Sequence, residues 1–241
     1  MVIRRFFEKR KLLRNLAPGE EVILPWEDFS DPELKKEIEQ ARPAFEAAER
    51  AVVEDLRKAG LEVRSVYDLF GDLDYRAQVP VLVDWLGRTD DVYLKEMLVR
   101  AMGMPWAKPA AIEPLFAEFR NLERSDVYRW AAGNAIDMLH LGRSAADELI
   151  ELALDRRYGR ARKMVVEALG RTGSPEALEP LVSLLDDDQV AGHATVGLRR
   201  LGMVESRPHL ERMLDHPQDW VRAEAKRGLR KLDKRFGNDA V

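Results

Sequence analysis

Four histidines, two aspartate-arginine pairs, a row of bases and five tryptophans are the side chains of this 241-residue chain that could bind or transform another molecule. The histidines are His140, His193, His209 and His216. None precedes a glutamate, and none has a second histidine one helical turn away, the spacing that closes two imidazoles on one metal. They give no metal site and no cofactor. The chain also has no GxxxxGKS/T loop to cradle phosphate, no GxGxxG and no GxSxG elbow, so nucleotide binding and acyl transfer have no sequence signal. No catalytic residue is read, and the chain is taken as non-enzymatic. Asp126-Val127-Tyr128-Arg129 and Asp219-Trp220-Val221-Arg222 set a carboxylate one turn from a guanidinium, an arrangement that acid-base work could use but that reads first as structural pairing. Trp85 reads as core and Trp106 as loop packing, while Trp130 and Trp220 stay open as aromatic contacts.

The elements that position these residues come from an internal repeat. A helical run ends in an apolar residue and a breaker at Phe70-Gly71, Met102-Gly103, Leu141-Gly142, Leu169-Gly170, Leu201-Gly202 and, more weakly, Leu232-Asp233. The period of roughly 30 residues belongs to solenoids of helix pairs. Four residues before each breaker stand Tyr67, Val99, Met138, Val166, Leu198 and Leu229, so one flank of each second helix is apolar. The first helices share a proline, Pro80, Pro114, Pro180 and Pro208, which marks a repeated start or bend. Acidic turns between the two helices offer aspartates as caps.

Aligned on the breaker, the flank away from the apolar stripe carries bases: Arg100, Arg199 and Arg230 three residues before it, Lys163 and Lys226 seven before, and Arg160 ten before. The row is interrupted by Asp68, Glu96 and Glu167. Globally the charge is balanced, 39 basic against 43 acidic residues for a net charge of -4, which gives no overall pull toward nucleic acid. The chain has no cysteine, which excludes disulfides, thiolate metal sites and thiol catalysis and suits a reducing, cytoplasmic setting. No run of 18 apolar residues is present, so no transmembrane span is read.

Residues 1 to 60 differ from the rest and read as an N-terminal helical cap and connector, followed by the repeats over 61 to 241 in one continuous domain. Residues 3 to 16 form a basic amphipathic helix with Ile3, Phe6 and Phe7 on one side, which packs on the first repeat or touches a membrane surface. Pro43 is expected to open a helix that runs to about Gly60.

Arg160-Ala161-Arg162-Lys163-Met164-Val165-Val166-Glu167-Ala168-Leu169-Gly170, with Ser174-Pro175-Glu176-Ala177-Leu178-Glu179-Pro180-Leu181, resembles the HEAT-like repeat of the phycobilisome lyases, as does Trp220-Val221-Arg222 with Ala225, Leu229 and Leu232. The resemblance spans about residues 61 to 236. It implies an all-α, right-handed α-solenoid of about five HEAT-like pairs with the N-terminal cap. In such repeats an Asp and an Arg bridge neighbouring turns, the role implied for the two pairs above, and second helices line the concave side.

The reading is thus a scaffold whose concave stripe, Arg100, Arg160, Lys163, Arg199, Lys226 and Arg230, binds a protein or peptide with an acidic segment. The alternative is a nucleic-acid-binding protein similar to the HEAT-like alkylpurine DNA glycosylases, against which the net charge argues. A bilin lyase or chaperone subunit rests on the repeat's family name alone.

Overall fold

A computed structural model describes residues 32–237, with side chains from residue 43. Among the described residues all regular structure is helical, and the architecture is an all-α solenoid. The chain divides into two compact units, Met1–Ala101 and Met102–Val241. Residues 3 to 16, read above as a basic amphipathic helix, lie outside the described residues.

In the first unit, α1 runs from Pro32–Lys58. Pro43 sits inside it rather than opening it. An interior proline forfeits an amide hydrogen bond and crowds the carbonyl one turn back, at a cost of about 3 kcal/mol. Burial of Phe45, Val52, Val53 and Leu56 on the same helix offsets that cost. Gly60, at φ +85°, turns the chain out of the helix. Phe70-Gly71 closes a five-residue 3₁₀ turn, Val66–Phe70, instead of a second helix. Ser65 holds that turn through a capping box with Asp68, and its hydroxyl also donates to Glu49 of α1 at 2.5 Å. Then α2 (Val79–Arg88) and α3 (Val92–Ala101) form a pair. Trp85, read as core, is half-buried: its indole N–H donates to Asp55 at 3.1 Å and the Arg88 guanidinium lies over its ring.

The second unit stacks four pairs: α4 (Ile112–Arg120) with α5 (Asp126–Met138), α6 (Ala146–Leu154) with α7 (Lys163–Arg171), α8 (Leu178–Ser183) with α9 (Ala191–Leu201), and α10 (Arg207–Arg212) with α11 (Asp219–Phe236). A 3₁₀ turn leads into each first helix, and Pro114, Pro180 and Pro208 all fall in a first turn. The recurrent proline is therefore a start and not a bend, because it sits where an amide has no intrahelical partner. Second helices pack on second helices along the stack, α5 on α7, α7 on α9 and α9 on α11.

The breakers do not all break. Gly202 does, at φ +64° in the left-handed region. Gly170 lies within α7, where its missing Cβ lets Gly197 of α9 cross: a Cβ there would stand 2.1 Å from the Gly197 carbonyl oxygen. The chain leaves α7 at Gly173, φ +67°, and leaves α5 at His140, a non-glycine held at φ +52°. Around these crossings the apolar stripe is packed as its spacing demands, with Val99, Met102, Val166, Leu169, Leu198, Leu201 and Leu232 buried and Tyr67, Phe70, Met138 and Leu229 half-buried.

Candidate partner-binding face

The charged residues of the second unit sort into those spent on holding the stack and those left over. The centre of the first group is Asp137, on the last turn of α5 and 3% exposed. Arg171 of α7 grips it with two hydrogen bonds, Nε to Oδ1 at 3.0 Å and Nη2 to Oδ2 at 3.1 Å. Arg200 of α9 reaches the same Oδ1 at 2.7 Å and turns its other nitrogen to Glu167 of α7, also at 2.7 Å. Glu167 in turn meets the His193 ring at 2.7 Å. Asp137 and Arg200 lie two repeats apart. One charged network thus runs along this flank of α5, α7 and α9 across three repeats.

A second seam runs through the turns. Arg162, 1% exposed, donates to Asp187 at 2.8 Å, to the Ala153 carbonyl at 2.9 Å and to the Gly159 carbonyl at 3.0 Å, tying the third pair to the fourth. Burial alone would raise the Asp187 carboxyl. The Arg162 guanidinium and the Gln189 amide override it and hold that carboxyl below the usual range. The pairs singled out in the sequence do not bridge in this way. Arg129 bonds Asp126 at 2.5 Å, and Arg222 bonds Asp219, each within its own helix. The bridging role belongs to Arg162 and Asp187. Their separation of 25 residues, through a 3₁₀ turn, hides the pairing from any local pattern.

The six bases of the sequence reading fall into three situations. Arg100, in the first unit, is half-buried and bonded to Glu96 one turn back. Arg199 spans from α9 to α11, where Glu224 accepts from its Nε at 2.6 Å. Arg160, Lys163, Lys226 and Arg230 meet no carboxylate among the described residues, and all but the half-buried Lys163 are exposed. Lys163 stands one turn before Glu167 on α7. Lys226 and Arg230 lie one turn apart on α11, away from the Val221, Glu224 and Lys231 side chains that meet α9. Lys231 is spent as a cap, donating to the carbonyls of Arg199 and Arg200 at the end of α9.

Of the two tryptophans left open, Trp130 is half-buried and Trp220 is 45% exposed. Trp220 is fixed nonetheless. Its N–H donates to Gln218 at 2.7 Å, and its ring meets that of His193 with centroids 5.5 Å apart and planes at 59°. Its six-membered ring lies against the backbone of Gly192, where a Cβ would come within 2.2 Å of it. Sequence spacing could not find this contact, since the signal for it is the absence of a side chain at Gly192.

Residues 112–195 and 146–230 each match the family of HEAT repeats. No curated protein matches the chain. Among the described residues no helix is long and apolar enough to cross a membrane.

Proposed function

This chain is a HEAT-like repeat protein, and we propose that it is a non-enzymatic, cytoplasmic scaffold that takes a partner protein along the flank formed by its second helices. The observation that carries this reading is the division among its bases. Arg162, Arg171 and Arg200 are consumed by carboxylates that hold the stack, while Arg160, Lys163, Lys226 and Arg230 meet none among the described residues. A cation with no internal partner is available to an external one, and arginine adds a planar fork that fits a carboxylate. The partner presents an acidic segment. Arg199 contributes less than these four, because binding there must first release Glu224.

The test is capture of reproducible partners from native lysate, followed by binding of a captured partner to the Lys163→Glu, Arg230→Glu double variant. Binding falls at least tenfold with the melting temperature unchanged. Recovery of no partner together with a turnover activity overturns the proposal. A shift of duplex DNA that fades as salt rises favours the nucleic-acid reading instead.

A further inference from the structure

We infer that Trp220 is the anchor of this face, and that the segment it receives is acidic with one apolar or aromatic residue, which stacks on the indole. The inference rests on the scaffold reading above and adds to it a position and a side-chain chemistry.

Three observations support it. First, Trp220 is both exposed and immobilised: Gln218 fixes its N–H, His193 its edge and the bare backbone of Gly192 its underside. The turn before it is pinned as well, since Arg222 donates to the carbonyls of His216 and Pro217 at 2.6 and 2.9 Å. Presenting a large ring in one orientation removes the ordering cost that a mobile tryptophan would carry into binding, and rigid central aromatics are where binding energy concentrates. Second, the ring stands on the same flank as the Asp137 network. It touches His193, which touches Glu167, which touches Arg200 and through it Asp137. One turn along α11 is the small, exposed Ala223, which leaves space beside the indole. Third, the surroundings ask for negative charge. Helix α11 holds seven bases against three acids, and each acid is already engaged: Asp219 by Arg222, Glu224 by Arg199 and Arg227, and Asp233 by Arg207. Lys163 of α7, one turn before the Glu167 that meets His193, brings to this flank a base with no carboxylate partner among the described residues, while Lys226 and Arg230 extend the basic surplus along the side of α11 away from α9.

The probes are two fluorescein-labelled twelve-residue peptides, one of glutamate and glycine only and one with a single central phenylalanine, titrated by fluorescence anisotropy against the full chain. The phenylalanine peptide binds at least tenfold tighter than the all-acidic one. That advantage disappears in Trp220→Ala and in Gly192→Ala, whose added methyl displaces the ring without changing its chemistry, and survives in Trp220→Phe. All-acidic binding is unchanged in these variants and weakens in Lys163→Glu. If phenylalanine gives no advantage, or the advantage persists in both Trp220→Ala and Gly192→Ala while the acidic peptide still binds, the anchor is overturned and the scaffold reading stands. If neither peptide binds the unaltered chain, both fall.

Discussion

Asp137 and Arg230 sit on second helices three repeats apart within one unit, yet they belong to opposite chemical regimes. At Asp137 a buried carboxylate is shared by two guanidinium groups, and their geometry is fixed by bonds of 2.7 to 3.1 Å. At Arg230 an exposed guanidinium pairs with no carboxylate among the described residues. The difference teaches that an arginine in this repeat cannot be assigned to function by its offset alone. Arg199 and Arg230 share an offset from their breakers, and the first is a strut between α9 and α11 while the second is free. What decides is whether the neighbouring repeat offers a carboxylate.

Substitutions can break that contrast. Arg162→Ala removes three hydrogen bonds and the packing of a buried stem, and costs about 4 kcal/mol in chemical denaturation. The same substitution changes the acid limb of stability. A carboxyl depressed in the folded state binds fewer protons there than when unfolded, so its contribution is complete above about pH 4 and is lost as pH falls through the folded value. Denaturant midpoints between pH 2 and 5 should fall more steeply for the unaltered chain than for Arg162→Ala. Asp137→Ala strands Arg171, leaves Arg200 only its pairing with Glu167 and costs about 3 kcal/mol, a drop in melting temperature of about 9 °C. Arg199→Glu sets a second carboxylate beside Glu224 at a half-exposed site and costs about 1 kcal/mol by the same measurement. Lys226→Glu with Arg230→Glu stays within about 0.5 kcal/mol, since neither side chain has a carboxylate partner among the described residues. A large loss in this last pair would erase the distinction between strut and free base.

How much of this was legible follows from range. The period, the apolar stripe and the starting prolines are local patterns, and Val166, Leu169, Leu198 and Leu201 lie in the core where spacing puts them. Glycine was ambiguous because one residue serves two purposes: Gly202 ends a helix, and Gly170 lets two helices cross. Reading Gly142 as the end of α5 also shifted the register, since the left-handed residue there is His140. The seams were illegible for a different reason. Arg171 and Arg200 find Asp137 across 34 and 63 residues, and nothing near any of the three predicts which guanidinium will arrive. Four of the six expected bases are free of carboxylates, but no spacing rule separates them from Arg100 and Arg199.

The bond from Arg200 to Asp137 skips the repeat between them. A stack whose members touch only their neighbours can be lengthened or shortened by whole members, as beads on a string. Here the second, third and fourth pairs share one knot, so excising the middle pair would take Arg171 from Asp137 and Glu167 from Arg200, and duplicating it would pull Arg200 out of reach. These three pairs are therefore coupled through one shared carboxylate, so that loosening any one of them is felt by the other two.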